Sequence, residues 1–121
     1  ALLVGVLGLM NTMFMAVIER TREIGVYLAL GATGAQILKI FVVEAMALGL
    51  MGGLLGIIFG FGLSASLLLL FSQAIDNLSA PIDFAIALIA LLGSMALGAL
   101  GGLIPALRAA SIPAADALRY E

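Results

Sequence analysis

Five basic and seven acidic side chains make up nearly all the ionisable chemistry of this 121-residue chain, which holds no histidine and no cysteine. Their absence excludes imidazole bases, thiol nucleophiles, disulfides and most transition-metal sites. No Gly-Lys-Ser/Thr phosphate loop occurs, so the sequence assigns no ATP hydrolysis to this chain. A catalytic site would have to rest on carboxylates, and Asp76 and Asp83 fall in one short connection without a basic partner. The chain therefore reads as a non-enzyme that binds no cofactor. Two features remain that could do physical work: a lone carboxylate, Glu44, inside an apolar run, and the mixed-charge cluster Glu19-Arg20-Thr21-Arg22-Glu23.

Glu44 is costly where it stands. A carboxylate at the middle of a bilayer costs about 3 kcal/mol on insertion scales, and less near an end. The fourteen Leu, Ile and Phe residues from Leu48 to Phe71 return roughly 0.3–0.6 kcal/mol each. Insertion survives the charge. Two roles fit Glu44: a structural pair with Lys39 or Arg20 near the interface, or a part in coupling or ion movement.

The elements that must position these residues follow from composition. The chain is 64% hydrophobic and 10% charged, with a mean hydropathy of +1.32, where soluble domains carry roughly a quarter charged residues. A net charge of −2 offers no basic face for nucleic acid. Three apolar runs stand out, at about 1–18, 37–71 and 84–104, and none alternates with the period of a barrel strand. The fold class is all-α membrane, with three transmembrane helices. The second run exceeds one span, so it should tilt or project beyond the lipid. The opening Ala1-Leu2-Leu3-Val4 has no initiator Met and no basic lead, and reads as a piece of a longer chain starting inside a membrane helix.

Orientation comes from Arg20, Arg22 and Lys39 around the first connection and Arg108 and Arg119 in the tail, against no basic residue between Ser72 and Asp83. Basic residues stay in the cytoplasm. The first connection and the C-terminus are thus expected inside and the N-terminus outside, across the cell (inner, cytoplasmic) membrane. The sequence Asn77-Leu78-Ser79 also fits a glycosylation sequon, although so short a pattern is cheap and an ordinary turn closed by Pro81 is the stronger reading. Small residues mark packing faces: Gly52, Gly56 and Gly60, the pair Gly49 and Gly53, and Ser94, Gly98 and Gly102. Such spacing lets two helix backbones approach. These faces serve either packing within the chain or a dimer interface or path.

The first connection is more than a polar loop. After the charges, Ile24, Tyr27, Leu28 and Gly31 recur at helical spacing. Gly31 is suited to end a helix in the left-handed conformation, and Thr33 with Gln36 forms a capping box for the next. The spacing predicts a short helix across the membrane surface, over about 22–33. Its apolar face needs cover from the lipid interface or from a groove on a cytoplasmic protein.

The runs Glu19-Arg20-Thr21-Arg22-Glu23-Ile24-Gly25, Ala29-Leu30-Gly31-Ala32-Thr33 and Phe41-Val42-Val43-Glu44-Ala45, the pair Gly52-Gly53 with Gly56, and the ending Pro113-Ala114-Ala115-Asp116-Ala117-Leu118-Arg119-Tyr120-Glu121 resemble the C-terminal permease module of the MacB/FtsX-like ABC transporter family, over residues 1–121. The resemblance implies a four-span subunit with a large extracytoplasmic domain, of which this chain would be the last three spans. It implies a second permease subunit, identical or different, and a cytoplasmic ABC ATPase that binds ATP and Mg. The short helix would then be the coupling helix, with Arg22, Glu23, Ile24, Tyr27, Leu28, Leu30, Gly31, Ala32 and Thr33 touching the ATPase. The implied function is to relay ATP hydrolysis to export or lipoprotein extraction on the outer side. Alternatives are a non-transporting relay that controls cell-wall hydrolases, and a membrane scaffold. The chain departs from the family at Gly34-Ala35-Gln36, where many relatives carry basic residues.

Overall fold

The computed structural model describes residues 1–71 and 83–113. Its elements are α1 (Leu2–Glu19), α2 (Thr21–Ala29), α3 (Gly34–Phe71) and α4 (Phe84–Ala110). The expected sequon, the second connection as far as residue 82 and the end of the family motif from Ala114 onward lie outside the described residues.

Each boundary has a local cause. A single residue, Arg20, separates α1 from α2 (φ −98°, ψ 11°), and its amide still donates to Ala16 O. Thr21 Oγ1 donates back to Val17 O at 2.9 Å, which fixes the start of α2 against the last turn of α1. At the other end of α2, Gly31 adopts φ +96°. Gly31 N donates to Leu28 O at 3.1 Å and Ala32 N to Tyr27 O at 2.9 Å, the paired bonds of a Schellman stop. The helix therefore closes at Ala29, shorter than the expected 22–33, and Leu30 to Thr33 form the turn. An added Cβ at Gly31 meets nothing within 4 Å, so its cost is purely that of the backbone. Gly31→Ala should lower stability by about 1–2 kcal/mol, measured as an earlier thermal transition in detergent, and Gly31→Asn by less.

The next helix is held by the reciprocal box. Thr33 N donates to Gln36 Oε1 at 2.8 Å, and Gln36 N to Thr33 Oγ1 at 3.4 Å. This cap moves the start of α3 to Gly34, three residues before the apolar run at 37. With 38 residues at ~1.5 Å each, α3 is about 57 Å long. Tilt alone does not fit that length into a ~30 Å layer, so it projects. Asp83 Oδ1 accepts from Ala85 N at 2.9 Å and opens α4. α4 runs on through Pro105 to Ala110, six residues beyond the expected stop. The apolar run alone pointed to an end near 104. The proline ring is fully buried in the bundle, and packing offsets the hydrogen bond it cannot make.

α3 and α4 are antiparallel and in contact along most of α4. Gly34 faces Ala110, Ala45 faces Gly98 and Gly102, and Gly53 faces Ser94. α1 runs parallel to α4, with Val6 and Leu9 against Gly101. The buried side chains gather at one end: Met13 and Val17 of α1, Ile24 of α2, Ile37, Phe41 and Ala45 of α3, Ala106 and Ala109 of α4. Farther along, Ile58, Phe59, Leu69 and Leu70 lie open, 64 to 77% exposed. Such a surface needs a lipid solvent. α1, α3 and α4 are each long and apolar enough to cross a membrane.

Candidate functional site: the elbow and the helix seam

The charged cluster folds into an elbow. Arg20, at its corner, reaches across to α3 and lies 3.4 Å through Nη1 from both carboxylate oxygens of Glu44. Of the two partners the sequence allowed for Glu44, the structure brings Arg20; Lys39 is exposed. The side chains remain 52% and 33% exposed. A pair this open contributes about 0–1 kcal/mol, so the apolar cluster, not the ion pair, holds the bundle together.

The expected coupling residues divide by direction. Ile24 is 2% exposed, and Leu28 and Ala32 pack against the core. The chain's own bundle thus covers Ile24 and part of Leu28 on the apolar face of α2, and leaves Tyr27 for other cover. Tyr27 is 52% and Leu30 80% exposed, and Arg22, Glu23, Gly31 and Thr33 are exposed beside them. Between α2 and α3 lies a hollow of about 120 Å³, lined by Arg20, Glu23, Ile24, Tyr27, Ile37, Ile40 and Phe41.

The small residues also divide. A Cβ on Gly98 would stand 2.6 Å from Ala45 O and 2.9 Å from Gly49 Cα. One on Gly53 would strike Ser94, and one on Gly102 the Ala45 side chain. These residues form the α3–α4 seam. Gly52, Gly56 and Gly60 meet nothing within 4 Å, so they take no part in it. Gly52 instead borders a groove of about 410 Å³ among α1, α3 and α4. Gly56 and Gly60 border one of about 400 Å³ where α3 and α4 diverge.

Some contacts escaped the sequence reading. Ala45 belongs to the seam, and its signal was available, for Ala45, Gly49 and Gly53 repeat every four residues. Gly34, whose Cβ would lie 2.8 Å from Ala110 O, closes the other end of the same seam. Arg108 sits 5.8 Å from the Phe14 ring centroid, a cation–π contact worth about 0.5–1 kcal/mol at an open site; no spacing announces it.

The FtsX-like permease C-terminal profile matches residues 1–114. The chain belongs to the FtsX-like permease family. Over all 121 residues it is 43% identical to the ABC transporter permease YknZ of Bacillus subtilis (strain 168). It is 39% identical to the macrolide export ATP-binding/permease protein MacB 2 of Aeromonas hydrophila, and 41% identical to the MacB of Pasteurella multocida (strain Pm70). It spans 29% of the length of YknZ and 18% of each of these MacB proteins. The MacB names join ATP binding to permeation, and this FtsX-like segment corresponds to the permease part. The expected resemblance is thereby met, and the three long apolar helices are those of a membrane permease module.

Proposed function

We propose that this FtsX-like module carries the work of a cytoplasmic ABC ATPase, loaded with ATP and Mg, across the cell membrane to an extracytoplasmic domain that exports or extracts a substrate. It acts beside a second permease subunit, with α2 as the ATPase contact, the first connection and C-terminus inside and the N-terminus outside. One observation carries this reading. α2 is joined to α1 through a single residue and anchored by buried Ile24, yet holds Tyr27 and Leu30 outward. A helix fixed so closely to the spans transmits a push rather than absorbing it as a loop would. The absence of ionisable residues along α3 from Ala45 to Phe71 favours mechanical relay over an ion path.

The test is photocrosslinking from Tyr27 and Leu30 in the full permease in cells. Capture of an ABC ATPase subunit is expected. In parallel, a membrane-impermeant thiol reagent should label Asn77→Cys and miss Thr33→Cys. Labelling at Thr33 alone rejects the orientation and the ATPase contact together, and lipid adducts alone would make α2 an interfacial anchor.

A further inference from the structure

The hollow between α2 and α3 has a floor and a rim of different chemistry. Buried Ile24, Ile37 and Phe41 make the floor, and exposed Arg20, Glu23, Tyr27 and Ile40 make the rim. α2 is held along its length above it. Ile24 is seated in the apolar cluster, Leu28 and Ala32 pack against that cluster, and the Gly31 stop leads into the Thr33–Gln36 cap of α3. The hollow is therefore preformed, and filling it requires little ordering of the chain. The charges on its lining do not cancel. Arg20 is committed to Glu44 at 3.4 Å. Glu23 makes no ion pair or side-chain hydrogen bond among the described residues. One uncompensated negative charge thus stands beside an apolar floor and the Tyr27 ring.

A volume of about 120 Å³ is that of about four liquid waters, which suits the stem of one side chain and excludes a helix. An aliphatic stem with a cationic tip satisfies the floor, the ring and the carboxylate together. A neutral apolar side chain would strip water from Glu23 without pairing it, and an acidic one would be repelled. We infer that the hollow is a socket for one lysine or arginine side chain of the ATPase, its stem on the apolar floor and its charge on Glu23. The inference rests on α2 being the ATPase contact, and it adds the chemistry the ATPase presents there. Tyr27 and Leu30 then supply apolar contact, while Glu23 sets which partner and which alignment are accepted, as charge pairs across interfaces do.

The experiment uses the full permease assembled with its ATPase in lipid nanodiscs. A photocrosslinker at Ile40, on the rim, should capture the ATPase at a peptide carrying a lysine or arginine. Glu23→Gln should weaken ATPase binding on the order of 10- to 150-fold. Its melting transition should stay unchanged, because the side chain is exposed. Glu23→Lys should abolish binding, and an acidic substitution of the captured basic residue should restore it. Glu19→Gln removes an equally exposed carboxylate that does not line the hollow, and should change binding little. Unchanged binding in Glu23→Gln overturns the socket, as does a Glu23→Lys defect that no basic-to-acidic change on the ATPase relieves. Lipid adducts alone from Ile40, with ATPase still captured from Tyr27 and Leu30, overturn the socket and leave the proposed function standing. Failure of capture from Tyr27, Leu30 and Ile40 alike rejects both.

Discussion

Gly98→Ala should sharply reduce the yield of folded permease, whereas Gly52→Ala, one methyl on the facing helix, should leave it intact. At position 98 the new carbon meets backbone, 2.6 Å from Ala45 O and 2.9 Å from Gly49 Cα. No rotamer change relieves such a clash, so α3 and α4 must separate along the seam. Overpacking of this kind costs about 1–3 kcal/mol or more, and in lipid close backbone approach is itself a main source of helix association. At position 52 nothing lies within 4 Å, and alanine improves helix propensity by about 0.8–1 kcal/mol. Gly53→Ala should fall between, because it strikes the small side chain of Ser94, whose hydroxyl donates to Leu91 O at 2.8 Å. Thermal transitions of the three variants in one detergent read the order directly. Equal transitions for Gly98→Ala and Gly52→Ala would remove the seam as the organiser of the fold.

Tyr27→Ala combined with Leu30→Ala should cost the permease its ATPase and little of its stability. The two side chains are 52% and 80% exposed, so their removal takes almost nothing from the apolar cluster. If they seat in a partner groove, they are candidates for the few contacts that dominate binding, worth about 2 kcal/mol or more each when truncated. That corresponds to capture weakened at least ~30-fold. Ile24→Ala offers the contrast: at 2% exposure it should destabilise the bundle by about 2–5 kcal/mol. Co-purification of the ATPase and the melting transition separate the two outcomes. Wild-type capture by the double variant would reject α2 as the docking element.

Much of the fold was legible because its signals are local. Gly31 had to end a helix where φ turns positive, and Thr33 and Gln36 had to cap the next, since both depend on neighbouring residues. The apolar runs located α1 and α3 closely, for hydrophobicity of a 20-residue stretch needs no partner to be read. The end of α4 was missed for the same reason: the apolar run stops at 104, and only burial against the other helices carries α4 on through Pro105 to Ala110.

The candidate site was half legible. Glu44 announced itself as a misplaced charge, but two cations stood at plausible separations and only the direction of the elbow chose Arg20. The glycine repeats announced close packing, yet Gly52 and Gly53 are consecutive and point about 100° apart on a helix. Periodicity gives the angle between residues on a helix and not the rotation of that helix about its axis. The sequence alone therefore determined that this chain is built of three apolar helices long enough to cross a membrane, roughly where each lies, and which family it resembles. The tertiary structure decided which small residues form the seam, that Ile24 turns inward while Tyr27 and Leu30 turn outward, and that Arg20 reaches Glu44. Those outcomes depend on how rigid helices rotate to bring backbones together, a property of the assembled bundle and of no single segment.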